Sequence, residues 1–129
     1  MFTLPFAALI TPVRRGGVMN PMDFTDETAE TFGLGKTSEL TSKQKWDTLT
    51  CVECGRCTNV CPANLSNKPL NPKTIITKMR DTIADNPGQD VELWGENPLY
   101  GSVELDSCTT CGACMEECPV LIDHIPAIT

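Results

Sequence analysis

Histidine occurs once in this chain, at position 124, and aromatic residues make up only 5% of it. One histidine argues against Ser-His-Asp or Cys-His nucleophilic chemistry. It also excludes a Rieske centre, which needs two histidine ligands. No G-x-G-x-x-G and no P-loop is present, so the usual phosphate cradles of dinucleotides and nucleoside triphosphates are missing. Lys and Arg number 10 against 17 Asp and Glu, a net charge of −7. Nucleic acid is therefore not an expected partner, because phosphates call for clustered cations. No stretch reaches the roughly 20 apolar residues of a membrane span. With two Trp, one Tyr and four Phe in 129 residues, side-chain packing is not expected to account for all of the stability. A chain of this length suits one domain and often gains stability from a metal or a partner.

What the chain does have is eight cysteines, all in one internal repeat. Cys51-Val-Glu-Cys54-Gly-Arg-Cys57-Thr-Asn-Val-Cys61-Pro62 recurs as Cys108-Thr-Thr-Cys111-Gly-Ala-Cys114-Met-Glu-Glu-Cys118-Pro119. Each copy reads C-x2-C-x2-C-x3-C-P, the spacing by which bacterial ferredoxins hold iron–sulfur clusters. Three cysteines two residues apart lie on one tight loop, so their sulfurs can converge on three corners of a cubane. The fourth starts a new chain direction and, in two-cluster ferredoxins, ligates the other cluster. The expected ligand sets are Cys51, Cys54, Cys57 and Cys118 for cluster one, and Cys108, Cys111, Cys114 and Cys61 for cluster two. Two [4Fe-4S] clusters use every cysteine. Gly55 and Gly112, between the second and third ligands, permit positive φ and close backbone approach. Backbone N–H groups can then point at the sulfurs. Pro62 and Pro119 fix the chain just after the last ligand.

Other uses of the cysteines fit less well. A disulfide framework would have to pair three closely spaced cysteines per loop, and the opening of the chain lacks the charge order of a secretory signal. Structural zinc more usually splits its four ligands into two separated pairs. A [3Fe-4S] or [2Fe-2S] centre in one site is a third alternative, and four thiolates at this spacing for each cluster favour [4Fe-4S].

Residues 1–40 read as an irregular strap or linker, broken by Pro5, Pro12, Gly16, Gly17, Pro21, Gly33 and Gly35. The apolar start, Met1 to Val13, ends at Arg14-Arg15. It suits a tail packed on the domain, or a contact with a membrane surface on the cytoplasmic side. The cluster-binding domain is placed at 41–129. Thr41 and Gln44 form a capping-box pattern that opens a helix running toward Cys51, with Trp46 and Leu49 as its apolar side. A second helix follows Asn71 as N-cap and Pro72 as first helical residue. Ile75, Ile76, Met79 and Ile83 fall on one face of it, and Asn86-Pro87-Gly88 stops it. Lys68, Lys73, Lys78 and Arg80 make this region locally basic and read as a solvated face. Residues 88–107 hold turn signals, with Trp94, Leu99 and Tyr100 as expected core. His124 reads as a surface or loop residue, and Asp123 beside it adds little.

The two motifs, with 46 residues between Cys61 and Cys108, resemble the α-helical dicluster ferredoxin domain. That domain occurs in heterodisulfide-reductase-like iron–sulfur subunits and in those of glycerol-3-phosphate, glycolate and lactate oxidising systems. Lys45-Trp-Asp-Thr-Leu-Thr-Cys-Val-Glu-Cys-Gly-Arg-Cys57, Pro62-Ala63, Asn71-Pro72-Lys73 and Glu96-Asn97-Pro98 look like the membrane-associated members. The resemblance covers about residues 40–125. It implies a mostly α fold with two pseudo-symmetric cluster-binding halves, and an electron-relay subunit of a larger oxidoreductase, cytoplasmic or at the cytoplasmic face of the membrane. The partners it implies are redox subunits: a catalytic subunit with C-C-G repeats, a flavoprotein, or a cytochrome-b-like membrane portion. No C-C-G element occurs here, so the family's disulfide chemistry is not carried over. Alternative readings are a fragment of a catalytic heterodisulfide-reductase-like enzyme and a zinc-stabilised interaction module.

Overall fold

A computed structural model of the chain describes residue 25 and residues 35–93 and 99–128. Most of the expected N-terminal strap, together with Trp94 and the Glu96-Asn97-Pro98 stretch, lies outside the described residues. Among those described the fold is helical. The nearest approach to a sheet is a single antiparallel bridge between Lys36 and Glu92. Around that bridge, Thr37 N–H donates to the Val91 carbonyl (3.0 Å) and Leu93 N–H to the Gly35 carbonyl (2.8 Å). Residues 35–40 are thereby stitched to the loop after the long helix, and Leu40 and Leu93 are buried there.

Helix α1 spans Ser42–Thr50 and opens with the expected capping box. The Thr41 hydroxyl accepts from Gln44 N–H, and the Gln44 side chain accepts from Thr41 N–H, so two otherwise unpaired donors are satisfied. Its orientation is the reverse of what the apolar residues suggested. Trp46 and Leu49 face solvent, 60% and 47% exposed, and Gln44, Asp47, Thr48 and Thr50 are buried. The physical reason is what α1 packs against. Its inner face grips the C-terminal segment through polar bonds. The Gln44 amide donates to the Pro126 carbonyl (3.0 Å), and Asp47 accepts from Asp123 N–H (3.0 Å). Lys43 bridges the Asp47 and Asp123 carboxylates at 2.6 and 2.9 Å. Asp123 is thus part of a buried clamp rather than an idle neighbour of His124. Burial pulls the Lys43 amine down, but the hydrogen bonds and charges of Asp47 and Asp123 outweigh it and raise its pKa.

Helix α2 (Arg56–Asn59) and helix α3 (Pro62–Leu65) belong to the first cysteine motif. Helix α4, Pro72–Asp85, is the longest and lies where the sequence placed it. Asn71 Oδ1 accepts from Thr74 N–H (3.3 Å) and from the Thr58 hydroxyl (2.6 Å), so the N-cap also ties α4 to α2. Ile75, Ile76 and Met79 are buried, and Ile83 packs at the core's edge. Burying each such side chain contributes about 2 kcal/mol. Tyr100 closes over α4. Its hydroxyl donates to the Ile75 carbonyl (2.7 Å), and the Lys78 ammonium sits 5.7 Å from its ring centre.

Helix α5 (Ser102–Asp106), helix α6 (Ala113–Glu116) and helix α7 (Ile125–Ile128) complete the described elements. The sequence reading missed α5, which starts without a side-chain cap, and α7, whose signal was Ile125 and Ile128 three residues apart. Among the described residues the apolar interior falls into one larger and two small clusters. One gathers Leu70, Ile75, Met79, Leu93, Tyr100 and Ile128. The second holds Met115 and Ile125 with Cys57 and Cys114, and the third Ile76 and Ile122 with Cys118. Cysteine sulfurs contribute to all three.

The two motifs repeat bond for bond. Gly55 (φ 78°) and Gly112 (φ 79°) each start a four-residue helix from the left-handed region. Glu53 (φ 56°) and Thr110 (φ 52°) occupy it at equivalent positions. Thr58 N–H to Gly55 O (3.1 Å) is matched by Met115 N–H to Gly112 O (2.9 Å), and Cys61 N–H to Thr58 O by Cys118 N–H to Met115 O, both 3.3 Å. The copies diverge after the fourth cysteine. Pro62 is the first residue of α3, while Pro119 enters a turn that continues to Leu121 at φ 58°.

Three outcomes follow. Asp47→Ala strands the buried Asp123 N–H and should lower stability by about 2 kcal/mol, read as a lower urea midpoint of the anaerobically purified protein. Because the Lys43 pKa is raised from 10.5 in the folded chain, its stabilising contribution is complete below that value and is lost as pH rises beyond it. Lys43→Met should therefore flatten the alkaline fall in melting temperature above pH 10.5. For Gly55, a Cβ would meet no protein atom within 4 Å, so Gly55→Ala should cost about 1 kcal/mol from backbone strain, read as a lower urea midpoint.

Candidate metal centres

Two cavities, both partly open to solvent, are lined by the cysteine loops. Cys51, Cys54, Cys57 and Cys118 line the first, and Cys61, Cys108, Cys111 and Cys114 the second. Three sulfurs of each set come from one motif and the fourth from the other. The contact of α2 with α6 brings the motifs together so that Cys61 and Cys118 reach across. All eight cysteines are free thiols. Their burial also repeats: Cys54 and Cys111 are exposed, Cys51 and Cys108 intermediate, and Cys57, Cys61, Cys114 and Cys118 buried.

The loop backbone explains this convergence. Left-handed residues at Glu53 and Gly55 flank Cys54, whose φ is negative. Such alternation turns successive N–H groups to one side and makes an anion-binding concavity. Thr110 N–H lies 3.5 Å from the Cys108 sulfur, and its equivalent at Glu53 reaches Cys51. Ile122 N–H donates to the Cys118 sulfur at 3.4 Å. Burial pushes the thiols of Cys51, Cys57 and Cys108 up, and that of Cys114 up to about 12. Thiolates in such places need positive charge beside them, which iron supplies.

The donor set fits an iron–sulfur cubane. Four soft thiolates surround each cavity, a set that suits such clusters and also zinc. Among the described residues, no three His, Cys, Asp or Glu side chains are grouped to hold a single metal ion.

The cavities differ in their other walls. Pro62 lines the second and Pro119 the first, beside the fourth cysteine in each case. Gly55 lines the first and Gly112 the second. His124 lines the first cavity and is 1% exposed, so the surface placement expected from sequence is corrected. The chain turns inward there because the Asp47–Lys43–Asp123 clamp and buried Ile122 and Ile125 hold it on both sides. His124 Nδ1 lies 3.0 Å from the Ile122 carbonyl. A carbonyl only accepts, so Nδ1 carries the proton. Burial lowers the imidazole pKa to about 4, and the ring is neutral near pH 7.

Lys73, read from sequence as part of a solvated face, also lines the first cavity. Of its basic neighbours, Lys78 pairs with Glu104 (3.8 Å) and Arg80 with Glu53 (2.6 Å) and Asp81 (2.8 Å). Only Lys68 keeps the exposed, unpaired character expected of the group. No helix among the described residues is long and apolar enough to cross a membrane.

Comparison with known proteins agrees with this geometry. A family model described as a 4Fe-4S dicluster domain matches residues 50–122. A protein of Bacillus subtilis strain 168, named a probable iron-sulfur-binding oxidoreductase, is 30% identical over 96% of this chain and 23% of its own. One from Chromohalobacter salexigens, named a probable membrane-anchored ferredoxin, is 34% identical over 89% of this chain and 21% of its own. The EtfAB:quinone oxidoreductase of Syntrophomonas wolfei is 35% identical over 84% of this chain and 19% of its own. The chain thus spans about a fifth of the length of these relatives. No solved structure matches it. The repeat, the paired four-cysteine cavities and the family match over both motifs place the chain in the 4Fe-4S dicluster domain family.

Proposed function

We propose that this chain relays single electrons between larger redox partners through two [4Fe-4S] centres. Cys51, Cys54, Cys57 and Cys118 hold one, and Cys61, Cys108, Cys111 and Cys114 the other. The observation that carries the reading is the pair of four-sulfur cavities, each built from both motifs. A [4Fe-4S] cluster supplies reversible one-electron uptake when bound. The chain's own residues do the rest. The thiolates hold iron, the loop N–H groups offset negative charge at the sulfurs, and Ile122, Ile125 and Ile128 exclude water. Exposed Cys54 and Cys111 give each centre an edge near the surface, where a partner can approach.

The partners are other redox subunits. The relative named an EtfAB:quinone oxidoreductase supports a flavoprotein on one side and a quinone-reducing membrane portion on the other. The relative named a membrane-anchored ferredoxin supports a place at the cytoplasmic face of a membrane. Eight unpaired cysteines suit a reducing compartment. In relatives where the matching stretch is about a fifth of the chain, the same relay would serve an oxidoreductase whose substrate chemistry lies elsewhere. That arrangement is the second reading.

Protein prepared without air should be brown and contain about eight irons and as much acid-labile sulfide per chain. A colourless product holding zinc would end the relay reading in favour of an interaction module. Cys54→Ala should roughly halve the iron. Cys118→Ala should remove the same spectroscopic component as Cys54→Ala, and Cys61→Ala the component lost in Cys111→Ala. If Cys118→Ala instead matches Cys111→Ala, the crossed assignment is wrong.

A further inference from the structure

The two motifs share one backbone, so differences in their surroundings are what can make the centres unequal. Three differences act in one direction. The first is charge. Lys73 lines the first cavity and has no carboxylate partner among the described residues. Glu53 also lines that cavity, its charge partly offset by Arg80, which holds Glu53 at 2.6 Å and Asp81 at 2.8 Å. The second cavity has no ionisable wall residue other than its cysteines.

The second difference is hydrogen bonding to sulfur. Cys51 and Cys108 receive equivalent loop N–H groups. Cys118, in the first cavity, also accepts from Ile122 N–H at 3.4 Å. At Cys61, its counterpart in the second cavity, the N–H four residues on is spent on a carbonyl: Leu65 N–H donates to Cys61 O at 2.9 Å. This follows from Pro62 opening α3 where Pro119 opens a turn. The third difference is polarity. The first cavity has the neutral imidazole of His124 in its wall, while Leu70, Ile125 and Ile128 line the second.

An arriving electron adds one negative charge to a site that already carries four thiolates. Positive charge, N–H donors to sulfur and a polar wall stabilise that state, and an apolar wall disfavours it. We infer that the first cavity holds the more readily reduced centre, with Lys73 setting the gap, so that a single electron shared by the pair rests beside Cys54 rather than Cys111. This rests on the relay reading. It adds an internal direction: electrons enter the second site and collect at the first. Lys73 acts here through its charge and is a tuning residue rather than a ligand.

The test is a redox titration of the full, cluster-loaded chain, followed by electron paramagnetic resonance. Two separate one-electron steps are expected. In Lys73→Met the upper step should move to lower potential, with a change of about tenfold in the electron's distribution between the sites, about 59 mV for one electron. The lower step should stay in place. Lys68→Met, which removes an exposed lysine that lines neither cavity, should move neither step. Eight irons with coincident steps would overturn the inference and leave the relay intact. A Lys73→Met shift of the lower step, of both steps equally, or of neither would also overturn it. A chain that binds no iron would sink the relay and this inference together.

Discussion

The convergence of sulfurs from two distant loops is the constraint on which everything else in this molecule depends. Cys118 must reach the loop at 51–57, and Cys61 the loop at 108–114. Both reaches require α2 and α6 to lie against each other. That contact is made largely by Cys57, Cys114, Met115 and Ile125, so the residues that frame the cavities also form the interior. The apolar core is correspondingly divided. Among the described residues the core forms one main cluster and two small ones, and each includes a cysteine.

Much of the site was legible in the sequence because cluster ligation imposes a spacing that few other chemistries impose. The repeat named all eight cavity cysteines and both left-handed glycines. The capping box at Thr41 and the Asn71-Pro72 start were equally plain, since each satisfies a local backbone need that does not depend on the rest of the fold. What escaped were the residues whose roles are set by tertiary placement. Lys73 resembles its basic neighbours in sequence and is distinguished only by facing a cavity. His124 gave no local signal, since nothing nearby in the chain announces that residues 122–124 turn inward. The polar inner face of α1 was missed for a related reason. Trp46 and Leu49 are the apolar residues of that helix, but its partner is a run of backbone and carboxylate that needs donors and acceptors.

That polar seam has a structural logic. The C-terminal segment carries Cys118, Ile122 and His124 to the first cavity, and it has little regular structure of its own to hold it there. Lys43, Gln44 and Asp47 satisfy its buried polar groups from α1. The helix just before the first motif thus anchors the stretch just after the second, and the two ends of the repeat are joined. Buried polar networks of this kind fix one arrangement among several that hydrophobic contact alone would tolerate.

The crossed wall also sets an order of events during synthesis. A nascent chain that has emerged only as far as residue 107 presents all four thiols of its first motif with neither pocket closed. Closure of either pocket must wait until the second motif has been made, since each takes sulfurs from both motifs. Until then, the early thiols depend on the surrounding cell to stay reduced.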